Sequence, residues 1–159
     1  MRFKFGENIK ILVADFDGVF TDGGVLVGEN GEMSKKINFA DIMGLYHFVK
    51  SGYKFAIISG ETSQAVNYIK NKLNIENIYQ NVRDKSAAMT EIIEKYNLKY
   101  DEIIYAGDDI NDIAPMKMVK YPVAPKNANY KVKKVKNIQI SKLCGGEGFI
   151  REITDSVLK

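Results

Sequence analysis

The chain has 159 residues, 45% of them apolar and 27% charged, which makes an ordinary globular composition, long enough to bury about two thirds of its unfolded surface in one core. A net charge of +3 is too small to imply a nucleic-acid partner, though it mildly favours an anionic substrate. The lone cysteine, Cys144, excludes an intrachain disulfide, no apolar run approaches a membrane span, and the first residues lack the apolar region of a signal peptide, so a cytoplasmic protein is expected.

Residues 1–8 read as a lead-in. The apolar run Ile11 to Ala14 then predicts a short buried strand, which ends in two carboxylates one residue apart, Asp15 and Asp17. In an extended chain both acids point to the same side. Gly18 lets the backbone turn away. Two acids thus stand at the C-terminal mouth of a strand, where open α/β sheets place ligands. Carboxylates so close repel each other, so a cation is the natural third party, and paired oxygen ligands suit Mg²⁺. A strand followed by a plain Asp-Gly turn is the simpler alternative.

Val25 to Val27, the turn Gly28-Glu-Asn30-Gly31, and Glu32 to Phe39 predict a β-hairpin over about residues 25–39. Half of its apolar side chains would be unburied in a monomer, which points to pairing with other subunits. Asp41 to Ser51 predicts an amphipathic helix, with Asp41 placed to cap it and Gly52 to stop it. His47 on this helix reads as surface or packing.

Tyr53 to Ile58 predicts a second buried strand, and a helix follows from Thr62 or Ser63 to Leu73. Between them, Ser59 and Gly60 offer a small hydroxyl and a flexible backbone before a helix N-terminus, which suits a phosphate oxygen. Alternatively, Ser59 only caps the helix. Asn77 to Gln80 is a third strand, and a helix opens at Arg83-Asp84-Lys85 and runs through Tyr96. Lys85 lies in its first turn, where a cation opposes the helix dipole, a local conflict of the kind found at functional sites. A surface lysine is the bland alternative.

Asp101 to Ala106 predicts a fourth strand, followed by Asp108, Asp109 and Asp112, three carboxylates in five residues. Beside Asp15 and Asp17, that cluster would be self-repelling without a metal. A short helix is expected at 111–118, a strand at 121–124, a helix at 128–135 and an extended piece at 138–140. Gly145, Gly146 and Gly148 lead into a C-terminal helix from Phe149 to Lys159, and this loop either covers a site or starts the helix. Cys144 reads as a small buried filler. Lys126, Lys131, Lys133, Lys134 and Lys136 read as a solvated surface, since no aromatic stacking platform accompanies them.

Alternating strands and helices predict one α/β domain over residues 1–159, a doubly wound Rossmann-like three-layer fold with a parallel sheet and a projecting hairpin. Asp15, Ser59 and Asp108 fall at C-terminal strand ends, with Lys85 just beyond another, so they can share one crevice.

The stretch Asp15-Phe-Asp-Gly-Val-Phe-Thr-Asp-Gly23 resembles the first motif of the haloacid dehalogenase superfamily of phosphotransferases. The order Asp15/Asp17, Ser59, Lys85, Asp108/Asp112 matches the superfamily's four motifs. Val-Phe-Thr-Asp-Gly-Gly is similar to the small capless branch that dephosphorylates keto-deoxy sugar acids. The resemblance implies that Asp15 is the nucleophile and Asp17 the general acid and base, with Ser59 and Lys85 binding the transferring oxygens. It also implies Mg²⁺ held by Asp15, Asp108 and the backbone carbonyl of Asp17, with Asp109 and Asp112 behind them. Gly60, Glu61 and Lys72 are the expected substrate contacts, and subunits are expected to join through the hairpin, as a tetramer.

The resemblance leaves the sugar open between an eight-carbon acid, 3-deoxy-D-manno-octulosonate (KDO) 8-phosphate, and nine-carbon sialic-type acid 9-phosphates. Glu61 and Gly145-Gly-Glu147-Gly148 resemble the nine-carbon group; Ile69 stands where both groups tend to carry Arg. Two other classes compete. A two-component receiver domain uses similar residues, but in another order along the chain. A catalytically idle assembly module, like the domain fused to some sialic acid cytidylyltransferases, has no need of this acid constellation.

Overall fold

The computed structural model describes residues 3–158. Its strands are β1 Ile11–Ala14, β2 Leu26–Val27, β3 Met33–Ser34, β4 Lys54–Ile58, β5 Asn77–Tyr79, β6 Ile103–Ala106, β7 Tyr121–Ala124 and β8 Gln139–Ile140. Its α-helices are α1 Phe39–Lys50, α2 Gln64–Leu73, α3 Lys85–Tyr96, α4 Ile113–Met116 and α5 Phe149–Val157. Six strands form one parallel sheet in the order β5-β4-β1-β6-β7-β8. The central strands are continuous apolar runs because both of their faces are buried.

Alternate residues of each strand feed two separate cores. Leu12, Ala14, Ile57 and Ile104 pack beneath α1, α2 and α5, where Leu45, Phe48, Val66, Ile69 and Ile153 are buried. Ile11, Val13, Ile58 and Tyr105 face the other way, onto Met89 and Ile92 of α3 and Met116 of α4. The fold is the expected three-layer α/β arrangement, and among the described residues no cap domain is built over the sheet. From β1 the chain steps to β4 and β5 on one side, then to β6 and beyond on the other. The end of β1 is therefore the switch point at which such sheets open a crevice.

Five local expectations change. Asn38, not Asp41, caps α1, its side chain accepting from Ala40 N at 2.8 Å. Asp41 is buried and accepts from Arg151 N at 2.9 Å, at the start of α5. The helix expected at 128–135 shrinks to one 3₁₀ turn, Val132–Lys134. There Asn129 N is drawn to Asp108 O (2.8 Å) and the Asn129 side chain to Lys131 N (3.0 Å), which diverts the backbone from helical pairing. The hairpin ladder is only Leu26–Val27 against Met33–Ser34, and Phe39 already belongs to α1. Cys144 is half-buried rather than buried. The C-terminal helix ends at Val157, and Lys159, like Met1 and Arg2, lies outside the described residues. Among the described residues no helix is long and apolar enough to cross a membrane.

Candidate active site

Asp15 continues the β1 ladder, its N–H donating to Ala106 O at 2.9 Å. Its side chain is buried; Oδ1 accepts from Phe16 N at 2.6 Å and Oδ2 from Lys85 Nζ at 2.7 Å. Asp17 lies beyond the bend, half-buried, with both carboxylate oxygens on Lys35 Nζ. The buried Thr21 ties this loop together, its Oγ1 accepting from Gly18 N (3.2 Å) and Gly23 N (3.1 Å). Gly18 has φ +76°, and a Cβ there would overlap the Asp108 carboxylate. The absence of a side chain at Gly18 lets the two acidic loops touch. A Cβ on Gly145 would in turn overlap Gly18 O, and Gly146 N donates to Val19 O at 3.1 Å, so the glycine loop before α5 is packed against the first acidic loop.

Asp112 is fully buried and accepts four hydrogen bonds. Lys85 Nζ (2.8 Å) and Tyr105 OH (2.9 Å) reach Oδ1, while Asp108 N (3.0 Å) and Asp109 N (3.2 Å) reach Oδ2. One cation, Lys85, therefore faces Asp15 and Asp112 together, and Asp108 stands beside them. Burial pushes Asp108 up to about 7 from 3.8, with Asp112 and Asp109 adding to the rise. Burial and then Asp112 push Asp15 up as well, against the pull of Lys85. Burial alone would lower Lys85, but Asp112 and Asp15 outweigh it and hold the ammonium above its ordinary value. Burial and the nearby acids keep the Tyr105 phenol well above its ordinary value, as a donor to Asp112.

A cation fits this donor set. Oxygens of Asp15, Asp108 and Asp112 lie within 4.8 Å of one another, and Asp108 Oδ1 is buried without a hydrogen-bond partner. Asp112 already holds four donors, so Asp15 and Asp108 have the free lone pairs. All-oxygen, anionic ligation of this kind is what Mg²⁺ takes. Here the expected cofactor and the chain agree.

The crevice, about 300 Å³, is lined by Asp15, Asp17, Gly18, Gly23, Gly60, Glu61, Asp108, Asp109 and Asn111. The acids expected to meet do meet. Ser59 is buried and outside the lining, next in the chain to Gly60, with Oγ accepting from Glu61 N at 3.3 Å. Ser63, not Ser59, caps α2, which removes the simpler explanation of Ser59. Lys72 lies outside the lining, its ammonium 5.6 Å from the Phe39 ring and 5.5 Å from that of Tyr68. Ile69 is core. Sequence reasoning missed four residues: Lys35 on Asp17, Tyr105 on Asp112, Asn111 in the lining, and Asn129, whose Nδ2 donates to Asp109 Oδ1 at 3.1 Å. Of these, only Asn111 carried a signal, its place inside the acidic run.

A doubly wound sheet with an acid pair after its first strand, and a lysine and a second acid cluster after later ones, defines a class. A family model described as haloacid dehalogenase-like hydrolase matches residues 29–148. The chain belongs to this family. It is 32% identical over 152 residues to the 3-deoxy-D-manno-octulosonate 8-phosphate phosphatase KdsC of Escherichia coli K12, covering 96% of this chain and 80% of that protein. Its structure is similar to the Moraxella catarrhalis 3-deoxy-D-manno-octulosonate 8-phosphate phosphatase in complex with magnesium, phosphate and KDO (TM-score 0.90, 28% identity, 96% of this chain and 87% of that one). It is also similar to the cobalt-bound octulosonate 8-phosphate phosphatase of Haemophilus influenzae (TM-score 0.88, 27% identity, 96% and 88%). Within its family the chain falls among these sugar-acid phosphatases: it is a phosphoric monoester hydrolase.

Proposed function

We propose that this enzyme hydrolyses the phosphomonoester of a keto-deoxy sugar acid, KDO 8-phosphate first among the candidates, through an aspartyl phosphate. One observation carries the reading: the two acids after β1 are held differently, Asp15 buried on Lys85 and Asp17 half-exposed at the crevice. That separation suits one nucleophile and one proton carrier. An Asp15 carboxylate oxygen attacks phosphorus as the bond to the sugar oxygen breaks, and Asp17 gives that oxygen its proton. Water then attacks the same phosphorus, Asp17 takes its proton, and the bond to Asp15 breaks to release phosphate. Ser59 and Gly60 hold the transferring oxygens, and Lys85 offsets their charge from beneath Asp15. Asp15, Asp108 and the Asp17 backbone carbonyl are assigned to Mg²⁺, with Asp109 and Asp112 supporting them. When bound, the ion draws phosphate and carboxylate together and screens their repulsion.

A nine-carbon substrate is the second reading, favoured by Glu61. A carboxylate on the crevice wall repels a nearby substrate carboxylate and accepts hydrogen bonds from sugar hydroxyls. Exposed Leu26, Val27 and Met33 on the hairpin support assembly through this ribbon as a tetramer, in which Lys72 is assigned to substrate across a subunit boundary. Phosphate release from KDO 8-phosphate and from 2-keto-3-deoxynononate and N-acetylneuraminate 9-phosphates tests the substrate, with Glu61→Arg expected to shift preference towards the octulosonate. No release from any of the three, by folded protein supplied with Mg²⁺, would favour the idle assembly module.

A further inference from the structure

Lys35 follows β3 directly, on a ribbon that projects from the sheet, yet its side chain is only 9% exposed. Its ammonium lies 2.7 Å from Asp17 Oδ1 and 2.8 Å from Oδ2, and 5.7 Å from the centroid of the Phe16 ring. Among the described residues no other group hydrogen-bonds the Asp17 carboxylate. The acid pair is thus divided between two lysines: Lys85 reaches Asp15 from the start of α3, and Lys35 reaches Asp17 from the hairpin. A lone aspartate beside Asp15 and Asp108 would either swing out to water or be drawn in as a further metal ligand. A two-point contact to a buried ammonium prevents both.

We propose that Lys35 is a positioning residue that fixes the Asp17 carboxyl at the crevice, so that the proton moves to and from substrate oxygen at a defined place. The inference rests on the phosphatase reading above, and it makes the hairpin part of the catalytic apparatus. General acid–base catalysis contributes about 10²- to 10⁴-fold and a misplacement of about 1 Å can cost roughly 100-fold, so the loss of Lys35, which displaces the acid without removing it, costs at most roughly 100-fold.

The test is a double-mutant cycle of Lys35→Met and Asp17→Asn, with Lys35→Arg alongside. Steady-state rates are measured on KDO 8-phosphate and on p-nitrophenyl phosphate, which reports phosphoryl transfer whatever the natural sugar. Lys35→Met is expected to lower kcat about 10- to 100-fold with KM changed less than about threefold. Tm should stay close to that of the wild type, and Lys35→Arg should recover most of the rate. In the Asp17→Asn background the lysine substitution should cost nothing more. An unchanged kcat, an equal loss in both backgrounds, or a rise in KM alone would overturn the proposal. Wild-type turnover of p-nitrophenyl phosphate without any of KDO 8-phosphate removes the sugar assignment and leaves the cycle readable. Turnover of neither overturns both.

Discussion

Lys85 Nζ and Asp112 Oδ1 lie 2.8 Å apart with both side chains sealed from solvent, behind the Asp15 carboxylate that lines the crevice. The same ammonium reaches Asp15 at 2.7 Å, so one buried cation serves two acids. Removing it leaves two buried carboxylates without a charge partner. Lys85→Met is therefore expected to destabilise the fold by about 3–5 kcal/mol. Tyr105→Phe, which deletes one of four donors to Asp112, should cost about 1–2 kcal/mol. Urea denaturation measures both, and a Lys85→Met protein as stable as the wild type would mean that the acids take protons without penalty.

The pH dependence has a definite sign. Burial raises Asp108 to about 7 and Asp15 to about 8, and Asp112 adds to both. Groups raised in the folded state make the metal-free fold bind more protons than the unfolded chain above about pH 4. Their contribution is complete below the unfolded value near 3.8 and is lost as pH climbs through about 7–8. Each group gives a slope of at most about 1.4 kcal/mol per pH unit. Mg²⁺ needs the ionised acids, so its affinity should rise with pH over the same window, and saturating Mg²⁺ should flatten the loss of stability. Buried Asp41, pushed up to about 6 by desolvation, acts likewise at lower pH, and Asp41→Asn should remove that part alone. Denaturation midpoints against pH, with EDTA and with Mg²⁺, would expose the error if the two curves ran parallel.

Gly18, by the absence of a side chain, lets the two acidic loops touch. A methyl there meets the Asp108 carboxylate and must be held at φ +76°. Gly18→Ala is expected to lower kcat by roughly 100-fold or more through displaced carboxylates, and to weaken Mg²⁺ binding in titration calorimetry. Near-normal values for both would show that the loops tolerate separation.

Leu26 is 77% exposed and Val27 67%, on a ladder of two residues per strand, too small to be stable by itself. On the proposed assembly through the hairpin, Leu26→Asp should lower the sedimentation coefficient measured by sedimentation velocity. Identical sedimentation of variant and wild type would contradict assembly through this ribbon.

Much of the sheet was legible because buried strands are short apolar runs, and the acids because charge placed directly after such runs has few structural uses. Asp15 and Asp108 announced themselves in this way. Lys35 did not: it stands in a Lys35-Lys36 pair on a polar ribbon, and only the fold brings it to Asp17, 18 residues back. Tyr105 read as one more apolar strand residue, since its hydroxyl partner, Asp112, lies across a turn. A helix is expected over 128–135, yet Asn127 and Asn129 use their side chains to anchor Gly145 N and Asp109 Oδ1. Local propensity lost there to hydrogen bonds made with the site.

The most direct measurement is mass spectrometry of the protein acid-quenched during turnover of KDO 8-phosphate with Mg²⁺. A phosphoryl group on the peptide carrying Asp15, lost in Asp15→Asn together with phosphate release, is the expected result. Phosphate release that persists in Asp15→Asn, or a phosphoryl group found on another residue, would contradict an Asp15 nucleophile.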